Sequence, residues 1–325
     1  MYYGLGIAIV LAGFFTAHAL LGMGVWSLRP ALARWSERCR PLVRARVLLI
    51  LNVGPMFGAS VFGSLLLISY LLFEPANTME RVGWLMAVAA ILSLVAWCRA
   101  GWKLVAARRA TRDLAANWMA NAFPVSIRGW DRVAYRLDHV FPLIAVVGVW
   151  RPRLFVAGQV LDQLASEELT AAIAHENGHL LAHDNLKRML VNFAGELAWW
   201  VPGTTSLRRQ WADAAELAAD EFAAAGSVAQ PLNLASALVK LARMTAAGTR
   251  PAMPAGAFLI ESAGDILTQR VSWLVDVDPA ASGGSERASR FLLASVLLTA
   301  GLFGLLLLRF DFFARLHQLI ESAVQ

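Results

Sequence analysis

Long apolar runs dominate the first third of the chain and return near its end. Residues 4–28, 47–73, 82–98 and 291–308 contain no Asp, Glu, Lys or Arg. As helices they are long enough to cross a hydrocarbon core of about 30 Å. The third is the shortest and extends past Arg99 to Val105, with Trp84, Trp97 and Trp102 as interface anchors. Ala17-His18-Ala19 imitates a signal-cleavage site, but no basic segment precedes it and the apolar stretch continues. A retained span is therefore expected.

Between the third and fourth runs the pattern changes. Two short apolar stretches, 143–150 and 153–157, are broken by Pro152 and predict a β-hairpin or two edge strands. Helical spacing follows, from residue 166 through the 170s and again around 211–225, 232–244 and 260–274. Residues 249–256 and 279–285 are rich in Pro, Gly and Ser and read as connectors. Residues 189–202 are apolar, too short to span and interrupted by Glu196. They predict a membrane-surface or shallow re-entrant segment in preference to a soluble core helix. In the tail, Phe313, Leu316, Ile320 and Ala323 share one face, as in an interfacial helix.

These elements predict a mainly α multi-pass membrane protein with four transmembrane helices and a domain containing a small β-hairpin or sheet. The expected boundaries are a membrane region at 1–110 (spans 4–28, 47–73 and 82–105), a domain at 111–290, a fourth span at 291–308 and a short amphipathic tail at 309–325. The composition, 58% hydrophobic, agrees with a membrane protein. Charge adds an orientation. Arg29, Arg34, Arg38, Arg40, Arg44 and Arg46 follow the first span, and Arg99, Lys103, Arg108, Arg109 and Arg112 follow the third. The positive-inside rule places both groups, and the 111–290 domain, in the cytosol, with the N-terminus and the tail outside. The net charge of +6 then follows from topology and implies no nucleic-acid partner. Cys39 and Cys98 fall on the reducing side, so no disulfide framework is expected.

The chemistry is concentrated in His175-Glu176-Asn177-Gly178-His179. Two histidines four apart lie about 40° apart around a helix and roughly 6 Å along it, so both imidazoles can meet one Zn2+. Glu176 is then placed beside the metal's open position. Ser166 is the expected N-cap, and Glu167 and Glu168 suit the positive end of the helix. Gly178 costs about 1 kcal/mol in mid-helix relative to alanine. One reading is that a second, ligand-bearing helix approaches there; the other is simple tolerance.

A catalytic zinc needs a third protein ligand. His183 lies about 12 Å along the axis from His175 and is too far. Ala182 and Asn185 stand where the long metzincin motif would need glycine and histidine. Downstream, Glu216 and Asp220 are four apart and face the same way on a helix. Glu216 is the expected metal ligand, and Asp220 the acceptor for the other ring N–H of a ligating histidine. A solvated acidic face is the bland alternative. Tyr135, His139 and the arginines are candidates for an oxyanion donor.

The pairing of HENGH with ELAAD resembles the E-x-x-x-D branch of membrane zinc metallopeptidases. Arg151–Val156, Leu164–Leu169, His175–His179 and Asp184-Asn185 are similar to the run of the BlaR/MecR-like family, relatives of the β-lactam-sensing transducers. HtpX-like and CAAX-processing proteases are the second choice. The resemblance covers about residues 141–274 and the topology. It implies a zincin-like (gluzincin) cytosolic domain with His175, His179 and Glu216 as zinc ligands, Glu176 as catalytic base and Asp220 as orienting carboxylate. The chain ends 17 residues after the fourth run. An extracellular penicillin-binding sensor is not expected, so antibiotic sensing does not carry over. The implied function is a zinc metalloendopeptidase of the inner membrane, cleaving a protein in a regulatory role. An HtpX-like quality-control protease and a non-catalytic zinc-binding sensor or scaffold are the alternatives. Expected partners are a protein or peptide substrate, the lipid bilayer and, as one assembly, a second copy. A substrate strand is expected to add to an edge formed by Arg153, Leu154, Phe155 and Val156. A transporter finds only His18 and the Asn52–Pro55 stretch in its favour, both more often packing features.

Overall fold

The computed structural model describes residues 2–37, 39–74, 82–225, 229–244 and 264–276, together with Gln318. The expected fourth span, the amphipathic tail and both connectors lie outside the described residues. Three long helices, α1 (Tyr2–Glu37), α2 (Pro41–Phe73) and α3 (Trp84–Ala120), are apolar and long enough to cross a membrane. The Tyr70 hydroxyl donates to the Tyr2 carbonyl at 2.8 Å, tying the end of α2 to the start of α1. At Gly13 the two helices approach so closely that a Cβ would collide with Leu66. α3 joins through Trp97, whose ring lies 5.3 Å from that of Phe14. It does not stop where the third apolar run ends. No glycine or proline occurs between Trp102 and Phe123, so the helix continues and the boundary expected at residue 110 falls inside it.

A four-stranded sheet follows: β1 (Ala122–Val125), β2 (Ala134–Leu137), β3 (Ile144–Val147) and β4 (Arg153–Ala157), in the order β1-β2-β4-β3. β3 and β4 form the expected antiparallel hairpin, with Ile144 opposite Val156. β4 also pairs with β2 in parallel, Ala134 opposite Leu154. This corrects the sequence expectation. Arg153–Val156 is an interior strand with both sides occupied, and β3 is the edge on that side. Both sheet faces are covered, which is why these strands read as unbroken apolar runs. Leu154 and Val156 pack with Ile173 on one face, and Phe155 and Ala145 pack with Trp118 of α3 on the other.

Six helices complete the described structure: α4 (Gly158–Gln163), α5 (Ser166–Ala182), α6 (Asp184–Leu197), α7 (Thr204–Ala224), α8 (Gln230–Met244) and α9 (Gly264–Asp276). Ser166, expected as the N-cap of α5, is instead its first residue. The cap comes from Glu168, whose Oε2 accepts the Ala165 N–H at 2.8 Å. Ser236 Oγ and Lys240 Nζ of α8 donate to the same carboxylate at 2.6 and 2.7 Å, tying the two helices together.

α6 and α7 connect the domain to the long helices. Ala194 and Leu197 share a core with Phe14, Met56, Ala59 and Ala96. The Trp200 ring lies 5.5 Å from that of Phe15. Phe14 is about 15 Å along α1 from the start of the first apolar run, roughly half the thickness of a hydrocarbon core. α7 packs on α2, with Trp211 and Ala214 against Leu48. Asn52 Nδ2 donates to the Leu207 carbonyl at 3.3 Å, so this polar residue of the second run serves helix packing. His18 is likewise buried, stacked on Phe14 at 5.5 Å.

Candidate metal centre

α5 brings His175, Glu176 and His179 to one side, and α7 brings Glu216 and Asp220 against them. The two helices meet at Gly178. A Cβ there would lie 3.2 Å from Phe222 Cδ1 and 3.3 Å from Ala219 Cα. Of the two readings of this glycine, the close helix approach is the one observed. Gly178→Val should overpack this contact, costing about 1–3 kcal/mol and moving Glu216 away from the histidines. Thermal unfolding and metal titration of the purified variant should show both effects.

His175 Nε2 and His179 Nε2 lie 3.1 Å apart, and the Glu216 carboxylate is 3.5 Å from the first and 3.6 Å from the second. All three donor atoms fall within 4.8 Å of one another and all three residues are buried. Ligands at 2.0–2.1 Å in a tetrahedral shell would be separated by about 3.4 Å, so two imidazoles and one carboxylate suit a divalent cation such as zinc.

The outer ring nitrogens are also held. His175 Nδ1 lies 2.8 Å from Asp220 Oδ1. His179 Nδ1 lies 2.8 Å from Asp184 Oδ2, a partner that sequence reasoning did not assign. The chain turns back at His183, in left-handed conformation with φ 55°, and this returns Asp184 to the preceding turn. His183 itself is exposed and outside the donor set. Arg270 of α9 is the second unassigned residue. It is buried, its Nε and Nη2 each bond Asp220 at 2.7 Å, and its Nη1 lies 3.1 Å from Glu216 Oε2. It orients both carboxylates at once. Only a weak signal pointed to it, because it stands 95 residues from His175 in sequence.

Electrostatics follow from these pairs. Burial opposes charge on His179, yet Glu216 and Asp184 outweigh it and lift the imidazole to about 10. Burial likewise opposes ionisation of Glu216, but His179, His175 and Arg270 hold it well below the usual carboxylate range. Asp220 is held low, against its burial, by Arg270 and His175. Glu216 and Asp220 therefore stay ionised, and a metal at the point where His175, His179 and Glu216 converge would have to displace the proton from His179. Glu176 differs: burial pushes its carboxyl up. Its Oε2 accepts the Val146 N–H of β3 at 3.2 Å, while its buried Oε1 has no hydrogen-bond partner among the described residues.

Glu176 and His179 border a cleft of ≈ 490 Å³, together with Val146, Trp150, Arg132 and Arg188. Arg188 Nη2 is 3.9 Å from Glu216 Oε1. The structure does not bring Tyr135 or His139 to this cleft. Tyr135 packs on Phe155, on the sheet face away from α5. His139 Nδ1 accepts the Phe141 N–H at 3.0 Å, and its ring lies against Trp118.

Long apolar helices, a small sheet and a candidate His-His-Glu metal site beside a buried glutamate are compatible with a membrane protein that carries metal-dependent hydrolytic chemistry. The sequence model of the family described as BlaR1 peptidase M56 matches residues 68–274, and the chain belongs to that family. The match runs from the end of α2 to α9 and includes every residue of the centre. No curated protein matches the chain.

Proposed function

We infer that this protein is a zinc-dependent endopeptidase embedded in the cell membrane, cleaving a protein substrate at the cytosolic face in a regulatory role of the repressor or antirepressor type. The observation that carries the reading is the convergence of His175, His179 and Glu216 next to a cleft that contains Glu176. Bound zinc would supply Lewis acidity, lowering the pKa of a water and polarising a carbonyl. The chain's own residues do the rest. Glu176 Oε1, buried and unpartnered, accepts the proton of the attacking water and passes it to the leaving amine. Asp220 and Asp184 fix the orientation of the two imidazoles, and Arg270 fixes Asp220 and Glu216. Arg132 and Arg188, which both border the cleft, are the cations available to meet charge developing on the substrate's carbonyl oxygen.

The cytosolic placement rests on the two arginine-rich groups after the first and third spans. The end of α6 and the turn to α7 then form a shallow re-entrant segment, consistent with their packing on Phe14 and Phe15. A purely structural zinc site would not need a buried carboxylate facing a cleft, which favours catalysis over a scaffold. The purified full chain should hold one zinc and cleave an unstructured protein. Chelation should abolish cleavage and added zinc should restore it; cleavage that persists without metal would refute the assignment.

A further inference from the structure

A second and larger groove, of ≈ 1050 Å³, lies between the C-terminal half of α3, the β3–β4 turn and α6. Leu104, Val147 and Phe193 contribute to an apolar lining. Six arginines border it: Arg108, Arg109 and Arg112 from α3, Arg151 from the turn, Arg153 from β4 and Arg208 from α7. Among the described residues, none of the first five has a groove carboxylate to pair with. Among the described residues the one acid lining the groove is Glu196, and it is engaged by Arg99 at 3.0 Å, Lys103 at 2.9 Å and Arg208 at 3.9 Å. The groove therefore presents an excess of positive charge along an apolar channel.

Its second property is continuity. Gly148, Val149, Trp150 and Asn185 border both this groove and the cleft that holds Glu176 and His179. The shared wall is kept in place by Asn185, whose Nδ2 donates to the Val146 and Gly148 carbonyls at 3.0 and 2.9 Å. Along α3 the groove runs from Ala100 to Ala115, about 22 Å at 1.5 Å per residue. That distance accommodates an extended chain of about six or seven residues.

We propose that this groove is the substrate-binding arm of the site, taking an extended polypeptide segment whose acidic side chains alternate with apolar ones. The proposal rests on the peptidase reading above and names the class of substrate. Acidic groups would pair with the arginines of α3 and of the hairpin on either side, and apolar groups would fill the channel between them. The continuation of the chain would pass Trp150 and reach Glu176. A lipid headgroup is the other anion that could meet these arginines at a membrane surface. A headgroup site has no need of a wall shared with the cleft that holds Glu176, which this groove has in Gly148, Val149, Trp150 and Asn185.

The test is peptide binding to the full chain in phosphatidylcholine nanodiscs, on a Glu176→Gln background so that bound peptide stays intact. A fluorescein-labelled peptide of alternating glutamate and leucine should bind saturably by fluorescence anisotropy. Adding Arg108→Glu with Arg112→Glu should weaken it by about tenfold or more, leaving metal content and thermal unfolding unchanged. The lysine–leucine counterpart should show the reverse preference. Equal affinity for both peptides in both proteins overturns the proposal. So does a charge reversal that alters only the response to phosphatidylglycerol, or a photo-crosslinker at position 112 that captures the chain's own residues beyond 276 in preference to the peptide. Failure of the peptidase reading is seen separately, as absent metal or absent cleavage in the wild-type chain, whether or not peptide binds.

Discussion

Glu176→Gln should lose peptidase activity by about 10²–10⁴-fold while keeping its metal. Glutamine preserves the shape and can still accept the Val146 N–H that positions the side chain. It cannot take up a proton at the atom corresponding to Oε1. Glu176 is not among the three donor residues, so metal content should match the wild type. Hydrolysis of a disordered protein, measured beside metal analysis of the same preparation, checks both halves. Activity retained in a metal-loaded variant would leave the proton transfer without its agent.

Glu216→Ala should have the opposite signature, losing the metal first and activity as a consequence. It removes one of the three candidate donors and leaves two imidazoles whose outer nitrogens remain held by Asp220 and Asp184. It also strips Arg270 Nη1 of its partner at 3.1 Å, leaving a buried guanidinium less compensated. Metal affinity should fall by more than the roughly 10–100-fold typical of losing an orienting partner. Asp220→Asn provides that comparison. Isothermal titration of the metal-stripped proteins would give the order wild type, Asp220→Asn, Glu216→Ala; equal affinity of wild type and Glu216→Ala would remove Glu216 from the centre.

Much of this centre was legible in the linear chain because its parts are local. His175, Glu176 and His179 sit on one helical turn, and Glu216 and Asp220 on another, so each spacing carried its own geometry. Gly178 hinted at the meeting of the two helices because its cost within a helix asks for a reason. The parts that escaped depend on chain reversals and distant packing. Asp184 serves His179 only because the helix breaks at His183 with φ 55°, and spacing alone does not announce a left-handed residue. Arg270 arrives from α9 through the packing of α7, α8 and α9, and no local periodicity encodes that. The strand order escaped for a similar reason. The apolar stretches predict the β3–β4 hairpin, but β1 and β2 are short and mixed in polarity, so nothing in the sequence marks β2 as the second neighbour of β4.

Local periodicity by itself determined the apolar helices and the shared face of His175 and His179, since side-chain direction along a helix follows from 3.6 residues per turn. Tertiary structure alone decided which carboxylates orient which imidazole, which strand lies open beside Glu176, and that an arginine-lined channel leads to it. Those are contacts between segments far apart along the chain, brought together by burial of apolar surface, which is non-directional and leaves little trace in residue order.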